Sequence, residues 1–398
     1  MTVPRIWAGV DIGKEHHHCV VIDAEGRRLL SRRVFNDEAA LLELISDVRA
    51  IDPDVLWAVD LNHGPAALLA GLPFGADQPV GFLTGLAVHR ASGTYRGEGK
   101  TDAKDAFVIA DQARVRRDLS LLRPGDEIAV DLNMLTRHRS DLVADRTRQI
   151  NRLRAQLLEI FPALERILEL ANRGPLVLLT GYQTPAAIRR IGAKRLETWL
   201  RNRKVRSAAD LAQRAVHAAE AQRIALPGER LAGSVVARLA QAVIALDEEI
   251  AQLDSAIEAR FAEHPAAEVI RSLPGMGPLL GAEFLAAIGG GIDAFATADR
   301  LAGYAGLAPA PRDSGRVSGN LHRPKRYNRT LLRVFYLSSM ASLRSCTASR
   351  AFYDRKRAEG KGHKQALISL ARRRVNVLWA MLRDGAFYIT PQPATPGV

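Results

Sequence analysis

The stretch IWAGVDIGKEHHHCVVIDAEGRRLLSRRVF, residues 6–35, decides the fold expected for the first part of the chain. An apolar run ending at Asp11, the run HHCVVID, the turn DAEG and the returning run RRLLSRRVF together predict a three-strand meander. DEAALLELISDVRAI then has the spacing of an amphipathic helix, and DVLWAVDLN, residues 54–62, is typical of a buried strand. This order predicts an α/β domain in which the strand ending at Asp60 pairs with the strand ending at Asp11.

Four aspartates occupy positions from which they could converge on one site. Asp11 and Asp60 each follow an apolar run, IWAGV or VLWAV, and a buried acid there needs a partner. Asp102 and Asp105 stand three residues apart in a helix predicted to begin near Thr101, so they share one helix face. Mg²⁺ prefers oxygen ligands, and a two-metal site stabilises both the attacking and leaving oxygens of a phosphoryl transfer. We expect a Mg²⁺ site; the alternative is four separate solvated acids.

The middle of the chain is predicted to be helical. Residues 126–161 have a long helical pattern rich in Arg and Leu, and a later stretch repeats apolar residues at alternating spacings of three and four. That regular stripe consists of Val236, Leu239, Val243, Leu246, Ile250, Leu253 and Ile257. It requires a partner helix, either residues 126–161 or a second protomer. The intervening stretch RGPLVLLTGYQTPAAIRRIGAKRLETWL has no chemistry that we can assign from sequence.

The basic charge of the protein lies mainly near its C-terminal end. The net charge is +13 with a pI near 10.2. Residues 312–383 contain 18 Lys and Arg but only three acidic residues, so the remainder of the chain is close to neutral. We therefore expect a polyanionic partner, DNA or RNA, to bind that end. No signal peptide and no uncharged apolar run of about 18 residues is evident, which favours a cytoplasmic protein that does not span a membrane.

Two glycine-containing stretches could contact phosphates. In PAPRDSGRVSGNLHRPKRYNR, Ser314 lies between Arg312 and Arg316, whose guanidinium groups could stabilise charge on phosphorus; Ser318 is its local rival. A serine there is otherwise a turn former. The further basic residues expected to bind nucleic acid are Arg323, Lys325, Arg326 and Arg329. In LPGMGPLLGAEFLAAIG, Gly275 and Gly277 could offer backbone N–H groups to DNA, as in a helix-hairpin-helix, or could simply permit tight helix packing.

The triplet His16 to His18 invites a metal-site interpretation, which we reject. On a strand the middle side chain points away from its neighbours, and no second cluster of His or Cys completes a ligand set.

The ordered motifs resemble those of the DEDD transposases of bacterial insertion sequences, the group that includes the Piv-type DNA invertases. They are GVDIGKEHHHCVVID, WAVDLN, GKTDAKDAFVIADQAR, LPGMGPLLGAEFLAAIG, LAGYAGLAPAPRDSG and GKGHKQALISLARRRVNVLW, spread over about residues 5–385. The resemblance implies an RNase H/RuvC-like catalytic domain over 1–124, a helical coiled-coil region over 125–265 and a helical transposase domain over 266–385. We expect a disordered tail over 386–398.

The resemblance also implies roles for individual residues and partners. Asp11, Asp60, Asp102 and Asp105 match the catalytic acidic tetrad that binds metal, and Ser314 matches the nucleophilic serine that forms a covalent phosphoserine link to DNA. Such enzymes act as oligomers, here expected to be dimers or tetramers with a site composed of both domains, and use a structured noncoding RNA encoded by the element. The second tetrad position is typically Glu, so Asp60 is a departure and the least secure ligand.

Three other functions remain open at this point. A junction-resolving nuclease would use the carboxylates and water without a covalent intermediate. An actin-like ATPase or sugar kinase would use the DIG sequence of residues 11–13 as a phosphate turn, although no second glycine-rich phosphate loop is recognisable. A coiled-coil protein that binds DNA without catalysis is the third.

Overall fold

The computed structural model describes most of the chain and divides it into two compact units, Met1–Asp126 and Glu127–Val398. The predicted domain bounds, 1–124, 125–265 and 266–385, stay a prediction. The residues described are 5–60, 66–75, 78–83, 85–95, 99, 101–116, 119–122, 127–289, 291–311, 313–314, 318–322 and 324–390.

The first unit contains six strands and four helices among its described residues. The strands are β1 (Ile6–Asp11), β2 (His16–Ile22), β3 (Arg28–Phe35), β4 (Val55–Val59), β5 (Val80–Phe82) and β6 (Ser120–Leu122). The helices are α1 (Glu38–Ile51), α2 (Ala67–Gly75), α3 (Gly85–Ser92) and α4 (Asp102–Val115). The predicted meander, the helix that follows it and the next buried strand are all found.

The six strands form one mixed sheet in the order β3-β2-β1-β4-β5-β6. β1 is antiparallel to β2 and parallel to β4, with Val10 opposite Val59, so the predicted pairing of these two strands is confirmed. β5 continues the parallel part, and β6 closes the edge in the antiparallel direction. The carboxyl ends of β1 and β4 therefore lie side by side.

Helices cover both faces of this sheet. Ile6, Ala8 and Val10 pack with apolar residues of α1, whereas Trp7 packs with residues of α4. Because side chains alternate along a strand, Asp11 follows Trp7 and Gly9 onto the face covered by α4. The same alternation places Asp60 on that face, because Ala58 packs with α4 while Val59 packs on the other side.

Gly9 permits α4 to approach the sheet closely. A Cβ at this position would lie 2.3 Å from the carbonyl oxygen of Ala106 and 2.3 Å from the backbone nitrogen of Ala110. Any side chain would therefore push α4 away from β1. The glycine fixes the depth at which the start of α4 meets the ends of β1 and β4.

The second unit is almost entirely helical in its described part. Its helices are α5 (Glu127–Ile160), α6 (Pro162–Ile167), α7 (Arg173–Gly181), α8 (Pro185–Asn202), α9 (Ala208–Glu220), α10 (Glu229–Ala262), α11 (Ala267–Ser272), α12 (Pro278–Ile288), α13 (Ala298–Tyr304), α14 (Arg329–Ser345), α15 (Thr347–Ala358) and α16 (His363–Asp384). A 3₁₀ turn covers Ile292–Ala294, and the short strands β7 (Ala310–Pro311) and β8 (Leu321–His322) pair antiparallel.

The two 34-residue helices α5 and α10 form an antiparallel hairpin. Arg139 pairs with Asp254 and Arg146 pairs with Asp247, so seven residues forward on one helix correspond to seven residues back on the other. The apolar stripe predicted on α10 thus has a partner in the same chain, the first of the two alternatives. Val236, Val243 and Ile257 in this stripe are fully buried, and its other four residues are half-buried.

The hairpin connects two separate hydrophobic cores. One core combines the C-terminal part of α5, the start of α10 and helices α6 to α9, within residues 153–243. The other contains Leu132 near the start of α5, Ile257 and Phe261 near the end of α10, and residues of α11 to α14 and α16. The two long helices thus contribute to a different core at each end of the hairpin.

The predicted tail differs from the structure over its first five residues. Residues 386–390 are ordered against the second core: the Tyr388 N–H donates to Ser272 Oγ at 2.9 Å, and the Tyr388 hydroxyl lies 3.5 Å from Cys346 Sγ. The contacts of Tyr388 with Ser272 and Cys346 hold this segment in place. The Pro-rich composition of the C-terminal end gave no sign of these contacts. Residues 391–398 lie outside the described residues.

A search of the helices over the described residues finds none with the length and apolar character needed to cross a membrane.

The fold predicts an unequal effect of two glycine substitutions in the first unit. Gly9→Ala should lower the free energy of unfolding by about 1–3 kcal/mol or more, because the new methyl group overlaps backbone atoms of α4. Gly71→Ala is the matched control, since Gly71 lies in α2 with open space around its Cβ position. We expect the control to be neutral or stabilising by up to about 1 kcal/mol in chemical denaturation. Equal stability of the two variants would contradict the close approach.

Candidate functional site

Asp11 and Asp60 lie at the carboxyl ends of adjacent parallel strands. Asp11 is the last residue of β1, and Asp60 comes immediately after β4. The pairing of Val10 with Val59 makes the two aspartates the next residues along the ladder. Both lie on the sheet face that α4 covers. The structure thus brings together the two strand-end acids in the way that the apolar runs before them predict.

The first turn of α4 contributes the second pair of acids. Thr101 is the N-cap and accepts a hydrogen bond from the Lys104 N–H at 3.2 Å, as the sequence predicts. Asp102 and Asp105 follow in the first turn, where the helix dipole favours negative charge. Asp102 is exposed and Asp105 is half-buried, so Asp105 is the member turned toward the sheet.

Asp60 has the unusual electrostatics of the set. Burial raises its pKa, hydrogen bonds from the backbone N–H groups of Ile12 and Asp60 itself lower it, and the charge of Asp105 raises it again; the net shift is upward. Its Oδ1 is buried without a hydrogen-bond partner. An unsatisfied buried carboxylate oxygen is costly, and Asp105 is near enough to repel it.

His18, a member of the triplet that the sequence analysis set aside, is a neighbour of this cluster. It pairs with Asp11 across the β1–β2 ladder, and its Nε2 lies 3.0 Å from Ser31 Oγ. Burial lowers the pKa of His18, while the negative charge of Asp102 raises it. Strand alternation could have found this residue, because Val20 and Ile22 on the same side of β2 pack against α4. His17 is buried on the opposite side.

The four aspartates do not form a complete metal-ligand arrangement as they stand. Within the part of the chain that the structure describes, which includes all four, no three His, Cys, Asp or Glu side chains are placed to hold one ion. The donor chemistry nevertheless fits a hard divalent cation, because the acids supply oxygen ligands and Asp60 has an unsatisfied oxygen. Asp60 and Asp105 are the pair for which mutual proximity is evident.

Ser314 lies in the loop that joins β7 to β8. The two short strands pair Pro311 with Leu321, and the Asn320 N–H donates to Asp313 Oδ1 at 2.9 Å, which closes the loop. Ser314 and its rival Ser318 are both exposed there. The structure therefore gives both serines access to a large substrate, and their surroundings alone do not separate them.

The predicted nucleic-acid contacts divide into described and undescribed residues. Lys325, Arg326 and Arg329 are exposed, and Arg329 opens α14. Arg312, Arg316 and Arg323 lie outside the described residues. Asn328 caps α14 by accepting from the Leu331 N–H at 3.0 Å, so the three exposed cations precede or begin a firmly capped helix.

The two glycines of the LPGMG turn have different surroundings. Gly275 has φ +80°, and a Cβ there would lie 2.5 Å from the carbonyl oxygen of Ser338 in α14. Close helix packing thus accounts for Gly275 without a phosphate. Gly277 caps α12, is exposed and has open space around its Cβ position. A nucleic-acid role for these glycines stays a prediction, with Gly277 the accessible one.

Comparisons with known proteins identify the chain's relatives. Residues 8–162 match the DEDD transposase domain of the IS110 type, and residues 267–354 match the family described as "Transposase IS116/IS110/IS902 family". An uncharacterized 42 kDa protein of insertion element IS900 from Mycobacterium paratuberculosis is 58% identical over 98% of both chains. An uncharacterized 44.8 kDa protein of insertion element IS116 from Streptomyces clavuligerus is 52% identical, again over 98% of both chains.

Among solved structures, RuvC of T. thermophilus in complex with a Holliday junction substrate aligns with 29% of this chain and 99% of its own, at 18% identity and a TM-score of 0.25. That similarity is too low to carry an argument. The family is established by the two family matches and by two insertion-element proteins that are more than half identical to this chain over almost their whole length. This chain belongs to the IS116/IS110/IS902 family of transposases, enzymes that cut and rejoin DNA.

Proposed function

We propose that the protein transposes its element by metal-assisted phosphoryl transfer, with the four aspartates holding Mg²⁺ and Ser314 attacking DNA. One observation supports the metal site above all: Oδ1 of Asp60 is buried without a hydrogen-bond partner, and the charge of Asp105 lies nearby. Asp11 lies at the end of the adjacent strand, at the same edge of the sheet. Two or more acids gathered without a cation repel one another, and a divalent ion would relieve that repulsion.

The residues have separate parts in this proposal. Asp11 and Asp60 hold the cation from the sheet, and Asp102 with Asp105 hold it from α4. When bound, Mg²⁺ supplies charge stabilisation to the oxygens around the reacting phosphorus. The strand order β3-β2-β1-β4-β5, with β1, β4 and β5 parallel, supports an RNase H/RuvC-like catalytic domain.

Ser314 supplies the nucleophile in this proposal. Its Oγ loses a proton and bonds to phosphorus, a DNA hydroxyl leaves, and the phosphodiester is conserved as a phosphoserine ester. Attack by another DNA hydroxyl reverses the exchange and rejoins the strand. Exposure of Ser314 in the loop between β7 and β8 supports this role, because a DNA backbone can approach it.

Asp60 departs from the glutamate that is typical of the second tetrad position. The Asp60 side chain is shorter than that of glutamate by one methylene, so its carboxylate extends less far beyond the end of β4. The half-buried position next to Ile12 N–H compensates in part, because it fixes the carboxylate close to the end of β1. We propose that Asp60 remains a ligand.

We further propose that the enzyme works as an oligomer guided by a structured noncoding RNA, with the α5–α10 hairpin as its coiled-coil region. The exposed cations of the C-terminal helices support binding to a polyanion in addition to the DNA being cut. A kinase and a non-catalytic DNA-binding protein are no longer alternatives, because the chain is a transposase. A water-using nuclease remains the rival chemistry.

Substitution of Ser314 tests the nucleophile. We expect the wild-type protein with Mg²⁺ and element-end DNA, supplied with the element's noncoding transcript, to form a covalent protein–DNA adduct that survives a denaturing gel. Ser314→Ala should lose the adduct entirely, because no other hydroxyl replaces Oγ. Ser318→Ala is the matched control and should retain it, since this serine is equally exposed in the same loop. An adduct that persists in Ser314→Ala would exclude the assignment, and cleavage with no wild-type adduct would favour the water-using nuclease.

Substitution of Asp60 tests the metal site by a stability measurement. Mg²⁺ at about 100 times its dissociation constant should raise the free energy of unfolding of the wild-type first unit by about 2.7 kcal/mol. Asp60→Asn should show a much smaller increase. Without Mg²⁺ near neutral pH, Asp60→Asn should be more stable than the wild type, because the substitution removes a buried, repelled charge. Glu25→Gln, at an exposed position in the same unit, should change neither value.

The sign of the pH dependence follows from the raised pKa of Asp60. In the metal-free protein the stability linked to this group is present at low pH and is lost as pH rises through the raised pKa. The proton competes with Mg²⁺, so stabilisation by Mg²⁺ should disappear on acidification at a higher pH than an ordinary aspartate would give. Identical Mg²⁺ responses in wild type and Asp60→Asn would contradict the site.

A further inference from the structure

A second basic surface lies in the helical region, in a stretch of sequence with no assigned chemistry. Between residues 190 and 206, one acid, Glu197, accompanies a set of exposed cations. We call this set the α8 basic face; it consists of Arg190, Lys194, Arg195, Arg201, Arg203, Lys204 and Arg206. The helix that carries most of these cations packs into the core formed within residues 153–243, and it is distant in sequence from the basic C-terminal helices.

The α8 basic face is built on a firmly packed helix. Gly192, with φ +72° and ψ 163°, interrupts α8, and the helix resumes after it. In that second part Lys194 and Arg201 are seven residues apart and so lie on one side. The other side carries Leu196 and Leu200, both fully buried. Arg190, Lys194, Arg195 and Arg201 therefore project from a packed helix, and Arg203, Lys204 and Arg206 lie in the turns that follow its end.

Most of these charges have no acidic partner. Arg201 pairs with Glu197, and for the other six cations no ion pair occurs among the residues that the structure describes. The nearby Asp210 pairs with Arg214 instead. Arg189 shows what a structural arginine does here, since it turns inward and donates to the carbonyl oxygens of Ala219 and Gln222. Among the exposed cations, Arg203 also has a structural contact, since it donates to the Trp199 carbonyl oxygen at 3.2 Å.

Lys204 has a strained backbone conformation. It has φ +61°, the one positive value at a non-glycine among the described residues. Its N–H donates to the Arg201 carbonyl at 2.9 Å, and the Val205 N–H donates to Leu200 at 3.2 Å, which ends α8. A lysine in this conformation costs about 1–2 kcal/mol that glycine avoids. Glycine would adopt this conformation without strain, so the lysine at this position is a departure from the usual residue.

The aromatic residue in this surface is already covered. The Arg203 guanidinium lies 3.8 Å from the centroid of the Trp199 ring, and Tyr182 meets the same ring edge-on at 5.1 Å. Binding of single strands usually uses free aromatic faces on which bases stack. Unpaired cations on a rigid helix, without such a face, match the phosphate backbone of a double helix.

We propose that the α8 basic face binds the backbone of duplex DNA without reading its sequence. The binding holds DNA to the helical region independently of the proposed metal site and of Ser314. The proposal is tested by the affinity for duplex DNA and by the salt dependence of that affinity. It therefore stands even if the proposed catalytic chemistry fails.

The first test compares two triple variants of the full-length protein. Lys194→Gln, Arg195→Gln and Arg206→Gln together should weaken binding to a random-sequence DNA duplex roughly tenfold or more near 0.1 M salt. The slope of log affinity against log salt should become less steep by about 2.7, from about 0.9 for each lost phosphate contact. The control combines Arg137→Gln, Arg152→Gln and Arg238→Gln, which are exposed positions on α5 and α10. The control should bind the duplex like the wild type, and thermal stability equal to that of the wild type in both variants establishes that folding is intact.

The second test uses Lys204→Gly, which removes one charge while relieving strain. The relieved strain and the greater flexibility of unfolded glycine nearly offset each other, so we expect no loss of thermal stability. The salt slope should still fall by about 0.9. Weaker DNA binding by a fully stable protein would therefore arise from the lost charge and not from misfolding.

Three results would overturn the proposal. The first is an unchanged affinity and slope in the α8 variants. The second is an equal loss in the control triple, which would mean that net charge alone matters. The third is a loss confined to duplex RNA or to single-stranded nucleic acid, which would assign the surface to a different partner.

Discussion

The contact between Gly9 and the backbone of α4 is the constraint on which the candidate site depends. It brings Ala106 and Ala110 so close to β1 that no side chain fits between them. Because α4 begins four residues before Ala106, its first turn is fixed beside the strand ends, and the charges of Asp105 and Asp102 reach Asp60 and His18. A methyl group at one position of the sheet would alter the spacing of acids that come from three separate parts of the sequence.

Opposite charges help to set the register of the two long helices in the middle of the hairpin. The two cores bury its ends, while Arg139 with Asp254 and Arg146 with Asp247 join the helices between them. Partly exposed pairs contribute little free energy, but a mismatch would place like charges or unpaired acids opposite one another. These pairs therefore specify alignment more than stability.

The strand ends and the α4 cap could be predicted from sequence because each has a local physical signal. Apolar runs before Asp11 and Asp60 mark buried strands, and Thr101 before an acidic turn marks a helix start. The approach at Gly9 could not be predicted, since it depends on a helix almost 100 residues away. The α8 basic face was missed because acids elsewhere cancel its charge in the total, and residues 386–390 were missed because Tyr388 has its partners far back in the sequence.

The hairpin also has a consequence for the history of this protein. The chain leaves α5 at Ile160, forms α6 to α9, and returns close to its departure point, where the Gln222 side-chain amide donates to the Ile160 carbonyl at 2.7 Å. These helices share a core with the end of α5 and the start of α10, within residues 153–243. Substitutions in α6 to α9 can therefore leave the second core, at the far end of the long helices, undisturbed. Evolution can thus vary the α8 basic face while leaving the serine loop unchanged.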